Sequence, residues 1–165
     1  INEIQKRLSR VLDAWSKVYS TMPEWRLVIV GDGNRLNRYK HLVKKMNLQN
    51  IYFEGPQDPL NYYKKASLFL MTSIAEGFGM TILEAEQNGV VPICYDSFLS
   101  LHDLVIDGYN GYIIENDNKI RFVDKMLRVM KDDHLRGSLA LNAISYTEKF
   151  SKDIIIRKWL SLLEK

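Results

Sequence analysis

Short continuous apolar runs alternate with amphipathic stretches along most of the chain. The runs are three to five residues long and rich in β-branched and aromatic side chains, and they are Leu27–Val30, Ile51–Phe53, Leu68–Met71, Val91–Tyr95 and Tyr112–Ile114. The stretches between them repeat their apolar residues at the helical spacing. This alternation is typical of helices that cover a sheet of buried parallel strands. We therefore predict an α/β fold with a mainly parallel sheet and helices on both faces.

The amphipathic stretches define the predicted helices. The first has one apolar face from Ile4 to Val18 and ends before Pro23. The others are Arg35–Met46, Pro59–Ala66, Thr81–Asn88, Lys119–Lys131, His134–Tyr146 and Lys152–Leu163. The last three follow one another with no strand signal between them, so we predict a helical C-terminal tail.

Length and composition narrow the class of protein. With 165 residues, 46% of them apolar, the chain fits one domain over residues 1–165 and shows no linker. A net charge of +3 argues against a nucleic-acid partner. The single cysteine, Cys94, excludes an internal disulfide and, with no apolar run of membrane-spanning length, leads us to expect a soluble, cytoplasmic protein. The three histidines are scattered without metal-ligand spacing, so we predict no metal site.

The loop after the third strand is the strongest candidate for a binding site. It reads TSIAEGFGMTILEA from Thr72 to Ala85, which is a strand end, a glycine-rich loop and a helix start. The glycines allow backbone N–H groups to approach a ligand, and the helix start attracts an anion, so we predict a phosphate there. Glu84 lies about one turn into the helix and is predicted to bind ribose hydroxyls, whereas Glu76 in the loop would contact a sugar.

Other interpretations of this loop exist. Glycine-rich turns between a strand and a helix occur in many sheets, and a Glu in the first helical turn often only complements the helix dipole. The segment Gly31–Leu36 lacks the third glycine of a dinucleotide fingerprint, so NAD binding is not predicted. A glycosidase is disfavoured because its two carboxylates flank the scissile bond and do not usually come from one short loop and helix.

The combination of Glu76, a Gly-Phe-Gly and Glu84 resembles the Glu-x7-Glu signature of group 1 (family 4) retaining glycosyltransferases. The segments Trp25–Gly33, reading WRLVIVGDG, and Ile51–Gly55, reading IYFEG, match the strands that precede this signature in the family. Asp107–Gly111 matches a later glycine turn. The resemblance covers most of the chain to about Lys131, in the order of the family.

The resemblance implies that the chain is the Rossmann-like, donor-binding C-terminal half of a GT-B fold. Glu76 becomes the predicted catalytic residue, at a donor-sugar hydroxyl, and Glu84 the ribose ligand. The residues assigned to donor binding are Gly55, Pro56, Gln57, Gly77, Phe78, Gly79, Met80, Thr81 and Glu84. The substrate is a nucleoside diphosphate sugar, with no cofactor and no essential metal.

The same resemblance implies that the intact enzyme transfers the sugar, with retention, to a glycan or lipid-linked acceptor in surface polysaccharide or glycoconjugate synthesis. The acceptor domain, and a first strand carrying the Arg and Lys that neutralise the diphosphate, are expected before Ile1. The chain by itself is therefore expected to be inactive. The position of the missing strand, between Leu27–Val30 and Leu68–Met71, is expected to be empty, so we also expect the chain to self-associate. Peripheral membrane contact is expected only for the longer enzyme. A non-catalytic binding module and a GT-B sugar-nucleotide epimerase remain alternatives.

Overall fold

A computed structural model describes residues 3–164, and their side chains from Gln5 onward. The described strands are β1 Leu27–Val30, β2 Ile51–Gly55, β3 Leu68–Met71, β4 Val91–Asp96 and β5 Tyr112–Glu115. The described α-helices are α1 Glu3–Lys6, α2 Leu8–Val18, α3 Leu36–Lys45, α4 Leu60–Tyr63, α5 Met80–Gln87, α6 Leu101–Leu104, α7 Lys119–Lys131, α8 Asp133–Thr147 and α9 Lys152–Leu163. A 3-10 turn at Glu148–Phe150 joins α8 to α9.

All the described strand pairs are parallel. β1 pairs with β2, and β4 lies between β3 and β5. Because parallel strands end at the same edge, the loops that follow β3 and β4 emerge side by side. The sequence prediction of a mainly parallel sheet is confirmed.

Helices cover both faces of β4, the most buried strand. Ile93 and Tyr95 belong to a cluster that contains Phe122 of α7, and Tyr95 lies 4.6 Å from that ring, centroid to centroid. Cys94, which points to the opposite face, packs in a second cluster with Ile82 of α5. This alternation follows from the two-residue period of a strand. The predicted helices on both faces and the helical tail are therefore present.

β1 and β3 do not pair with each other within residues 3–164; they belong to separate two- and three-stranded sheets. Direct pairing of the two strands, which would have argued against an empty strand position between them, is thus not observed. Val28, in the middle of β1, is 42% exposed, which is unusual for a parallel strand. Self-association through this region or another surface stays a prediction.

The prediction of one helix from Ile4 to Val18 is wrong. The helix is interrupted at Arg7, which adopts a left-handed conformation with φ 50° and ψ 44°, and the side chain of Ile4 lies outside the described set. The Thr72 hydroxyl lies 3.1 Å from the Lys6 carbonyl and 3.0 Å from the Arg7 carbonyl. A hydroxyl donor from the loop after β3 therefore satisfies carbonyls that a continuous helix would use internally.

The short helix α6 was also not predicted, because the segment after β4 was interpreted as a loop. Leu101 and Leu104 are fully buried there and pack with Ile82 and Leu83 of α5. Their spacing of three residues is the only local signal of this turn. Within residues 3–164, no helix combines the length and the apolar character needed to cross a membrane.

Candidate functional site

The loop from Thr72 to Gly79 leaves β3 at the carboxyl edge of the sheet and leads into α5. Gly79 is the residue before the helix, with φ 91° and ψ 37°. A Cβ at Gly79 would lie 3.0 Å from Leu104 Cδ1 and 3.2 Å from Phe98 Cε2. Both the backbone conformation and the close neighbours therefore require glycine at this position.

The start of α5 offers unpaired backbone donors. No described acceptor takes a hydrogen bond from the N–H groups of Gly77–Thr81, and Gly79 has no side-chain cap. The first amide of this region to be used is that of Ile82, which donates to the Gly79 carbonyl at 2.8 Å. Free N–H groups at the positive end of a helix dipole form a site for an anion such as phosphate.

The side chains of this turn face outward. Met80 is 55% exposed, Thr81 is exposed, and Phe78 packs edge-on against Phe150 with the ring centroids 5.9 Å apart. Ser100 from the neighbouring loop donates a hydrogen bond to the Gly77 carbonyl at 3.3 Å. The predicted residues from Gly77 to Thr81 thus lie together, and they offer backbone groups rather than a set of polar side chains.

Glu76 forms an ion pair with Lys6. Lys6 Nζ lies 2.7 Å from Glu76 Oε1, and the Glu76 side chain is only 11% exposed. Gln5 holds the two segments together, since its carbonyl accepts from the Ile74 amide at 2.9 Å and its side-chain amide donates to the Ala75 carbonyl at 3.0 Å. The segment before α2 therefore delivers a cation to the loop that carries Glu76.

Lys6 is the functional candidate that sequence reasoning missed. The cations of the site were expected before Ile1, yet Lys6 lies beside Glu76. It forms no motif with its neighbours in the chain, and its partner is 70 positions away. Only knowledge that the segment before α2 runs beside the loop after β3 would have identified it.

Glu84 lies on α5 in contact with α4. The Tyr63 hydroxyl is 3.4 Å from Glu84 Oε2 and also 3.4 Å from the Thr81 carbonyl oxygen. Burial, followed by the charge of the Glu84 carboxylate and the hydrogen bond to it, raises the pKa of Tyr63 above its usual range. The hydroxyl therefore stays protonated and acts as a donor.

A cleft of about 260 Å³ opens beside Glu84. Its lining combines the start of α4 with the outer side of α5, and consists of Asp58, Pro59, Leu60, Tyr63, Glu84, Gln87 and Asn88. The predicted segment Gly55–Gln57 ends β2 and leads directly into this lining, with Pro56 and Gln57 exposed. Glu84 and the residues that directly follow Gln57 therefore line the same cleft.

A second, shallower hollow of about 420 Å³ lies on the β5 side of the sheet, lined by His102, Val105, Ile106, Asp107 and Ile113. His102 Nε2 is 2.9 Å from Asp96 Oδ1, and both side chains are about half exposed. No cluster of three or more His, Cys, Asp or Glu side chains with metal-binding geometry occurs in the part of the chain that the structure describes. This hollow shares none of the predicted site residues.

Known proteins match this chain closely enough to define its family. The family model for glycosyl transferases group 1 matches residues 3–149. The poly(glycerol-phosphate) alpha-glucosyltransferase of Bacillus subtilis (strain 168) is 33% identical over 156 residues, which are 93% of this chain and 23% of that protein. The chain therefore spans about a quarter of the length of this relative.

Solved structures share the fold over nearly the whole chain. A variant of S. aureus TarM in complex with fondaparinux, alpha-GlcNAc-glycerol and UDP has a TM-score of 0.90 and 26% identity, over 98% of this chain and 33% of that one. The C-terminal domain of LpcC, a glycosyl transferase group 1 family protein from Francisella tularensis, has a TM-score of 0.81 and 25% identity, over 92% of this chain and 83% of that one. With its GT-B type α/β architecture and its family match, the chain belongs to the group 1 glycosyl transferases and corresponds to their C-terminal domain.

Proposed function

We propose that this chain binds the nucleoside diphosphate sugar of a retaining glycosyltransferase that acts on a glycan or lipid-linked acceptor. The observation that supports this most directly is the grouping of three features at one helix start. These are the unpaired amides of Gly77–Thr81, the Lys6–Glu76 ion pair and Glu84 on the same helix. An anion, a sugar and a ribose each find a matching group there.

The diphosphate lies at the start of α5 in this proposal. The amides of Gly77–Thr81 bind the distal phosphate and the adjoining sugar, and the helix dipole favours the negative charge. Lys6 supplies a cation whose charge offsets that of the phosphates. The site thereby neutralises a diphosphate with its own groups, and we propose that no metal is essential.

The nucleoside lies in the cleft beside Glu84. A carboxylate accepts hydrogen bonds from two vicinal hydroxyls, so Glu84 is the proposed ribose ligand. The base lies against Gly55, Pro56 and Gln57, which directly precede Asp58 and Pro59 in the lining of the same cleft.

Glu76 binds a hydroxyl of the donor sugar. When the bond from the sugar to the distal phosphate breaks, negative charge grows on the phosphate. The fixed N–H dipoles and Lys6 therefore stabilise the transition state more strongly than the ground state. The acceptor supplies the attacking oxygen, so no residue of this chain needs to form a covalent intermediate. Glu76 is the proposed catalytic residue because it touches the transferred sugar.

The names of related proteins support the cell-surface setting. Besides the B. subtilis enzyme, the chain is 28% identical over 163 residues to the poly(ribitol-phosphate) alpha-N-acetylglucosaminyltransferase of Staphylococcus aureus (strain COL). Both names describe α-linked transfer to polyol-phosphate polymers. We propose by analogy a cytoplasmic enzyme of surface polymer synthesis, with peripheral membrane contact made by parts of the enzyme outside this chain.

Calorimetric titration of the chain with nucleoside diphosphates and their sugars tests the proposal. We expect binding with a clear preference for one base, unchanged when EDTA is added. We also expect no release of nucleoside diphosphate in the presence of acceptors, because in this proposal the domain binds the donor and does not hold the acceptor. A chain that binds all nucleotides equally, or none, would contradict donor binding and would favour a module for another partner.

A further inference from the structure

Tyr63 occupies a fixed position between α4 and α5. Its side chain is 9% exposed, packs with Ala85 and Val90, and meets Phe69 edge-on with the ring centroids 6.2 Å apart. Contacts on several sides hold the ring, so its hydroxyl is directed at one place on α5. That place is the Thr81 carbonyl and Glu84 Oε2, each at 3.4 Å.

The two carboxylate oxygens of Glu84 have different surroundings. Oε2 faces the Tyr63 hydroxyl, whereas Oε1 has no hydrogen-bond donor within the described residues. Oε1 is not buried, so this unpartnered oxygen is open to solvent. Because Glu84 lines the cleft and Oε2 is paired with Tyr63, Oε1 is the oxygen left available to a ligand.

We propose that Tyr63 is a positioning residue that holds Glu84 Oε2 and thereby directs Oε1 at the ribose hydroxyls of the donor. The inference rests on the proposed function, since it assumes that Glu84 binds ribose. A tyrosine hydroxyl has one proton, and the charged carboxylate is a stronger acceptor than the Thr81 carbonyl. Holding the carboxylate before the ligand arrives removes part of the rotamer entropy that binding would otherwise cost.

The supporting chemistry is consistent across pH. Because the pKa of Tyr63 is raised above its usual range, the hydroxyl keeps its proton and can donate at and around neutral pH. The Asn88 side chain reinforces the same helix by donating to the Glu84 carbonyl at 2.9 Å, which fixes the backbone but leaves the carboxylate to Tyr63. Tyr63 is therefore the only described side chain with a hydrogen bond to this carboxylate.

The test compares Tyr63→Phe with Glu84→Ala and the double variant, using UDP and 2′,3′-dideoxy-UDP as probes. UDP is the nucleotide in the S. aureus TarM complex. We expect Tyr63→Phe to weaken UDP binding about fivefold, a modest loss because the hydrogen bond is long, and to leave the dideoxy analogue unchanged. We also expect the change to have no further effect in the Glu84→Ala background.

A matched control is Tyr62→Phe on the same helix, whose hydroxyl lies 3.3 Å from Glu54 Oε2. It should leave both affinities unchanged, and urea unfolding should report how far each variant is destabilised. Equal losses for UDP and its dideoxy analogue, additive losses in the double variant, or no loss at all would overturn the role of Tyr63. If Glu84→Ala itself fails to distinguish the two nucleotides, the proposed ribose site is wrong, and the inference falls with it.

Discussion

Lys6 Nζ lies 2.7 Å from Glu76 Oε1, which joins the segment before α2 to the loop before α5. The pair places opposite charges directly beside the free amides of Gly77–Thr81. Within the ion pair, each charge neutralises the other in a partly buried position. In the proposed complex, the diphosphate sugar offers Lys6 a phosphate and Glu76 a hydroxyl, so both members of the pair would exchange their present partner for the ligand.

Lys6→Ala should therefore weaken binding of UDP by about tenfold, because a hydrogen bond between two charged groups is lost. Binding of uridine, which has no phosphate, should be unaffected. Lys119→Ala is the matched control, since Lys119 pairs with Asp13 at 3.0 Å on the outside of the domain. Calorimetric titration of the wild type and both variants with UDP and with uridine measures these affinities. A similar loss for uridine and UDP in Lys6→Ala would argue against a phosphate contact.

Glu76→Gln should affect the sugar and not the nucleotide. The substitution keeps the shape of the side chain but replaces a charged acceptor, so UDP-sugar affinity should fall about tenfold. Bare UDP should bind at least as well as before, because Lys6 is released from its ion pair. The ratio of the two dissociation constants is the measurement. Equal changes for both ligands would exclude a contact between Glu76 and the sugar.

Gly79→Ala should destabilise the domain, whereas Gly77→Ala should not. Alanine at position 79 must adopt φ 91°, and its Cβ would lie 3.0 Å from Leu104 Cδ1, so we expect a loss of about 1–3 kcal/mol. At Gly77 no atom lies within 4 Å of the added Cβ and φ is not in the left-handed region, so the expected change is below about 0.5 kcal/mol. Urea unfolding compares the two variants. Equal stability would mean that the start of α5 adjusts its backbone.

Local patterns predicted the framework of the site, and contacts between distant segments completed it. The strands Leu27–Val30 and Leu68–Met71 and the glycine loop were predicted because their signals are short-range, namely continuous apolar runs and a Gly-Phe-Gly before an amphipathic helix. The break at Arg7 was not, since a left-handed arginine has no sequence signature and depends here on Thr72. Lys6 was missed for the same reason: its partner lies in a segment that only the fold brings close.

Glu86, two residues beyond Glu84, should make stability depend on pH. It is fully buried, its Oε1 accepts from Asn110 at 2.8 Å, and its Oε2 has no partner within residues 3–164. Burial raises the pKa of Glu86 from 4.5 to about 8, although the charge of Lys149 opposes the shift. The folded state therefore binds the proton more tightly than the unfolded state. The resulting contribution to the free energy of unfolding is fully present below pH 4.5 and is lost as the pH rises to about 8.

Glu86→Gln should remove this dependence. Because glutamine cannot ionise, the free energy of unfolding of the variant, relative to that of the wild type, should rise by a few kcal/mol between about pH 5 and about pH 8. The constant part of the difference, from the amide beside Asn110, does not change with pH. Urea unfolding across this range, with the exposed Glu24→Gln as control, measures the slope. Parallel curves for Glu86→Gln and the wild type would show that the buried carboxyl does not titrate in this range.

The last helix leads us to expect that the isolated chain self-associates. α9 has no buried residue, and its large apolar side chains recur at helical spacing along one face, at Ile156, Trp159, Leu160 and Leu163. Trp159 is 63% exposed, and a second copy that covered this face would bury it, which contributes roughly 2 kcal/mol. Trp159→Lys should therefore weaken association more than about tenfold, whereas Ile120→Lys on α7, where the isoleucine is 86% exposed, should not. Sedimentation velocity over a range of concentrations measures the mass of each variant. A wild-type chain that stays monomeric at every concentration, or equal effects of the two substitutions, would show that this face of α9 does not join two copies.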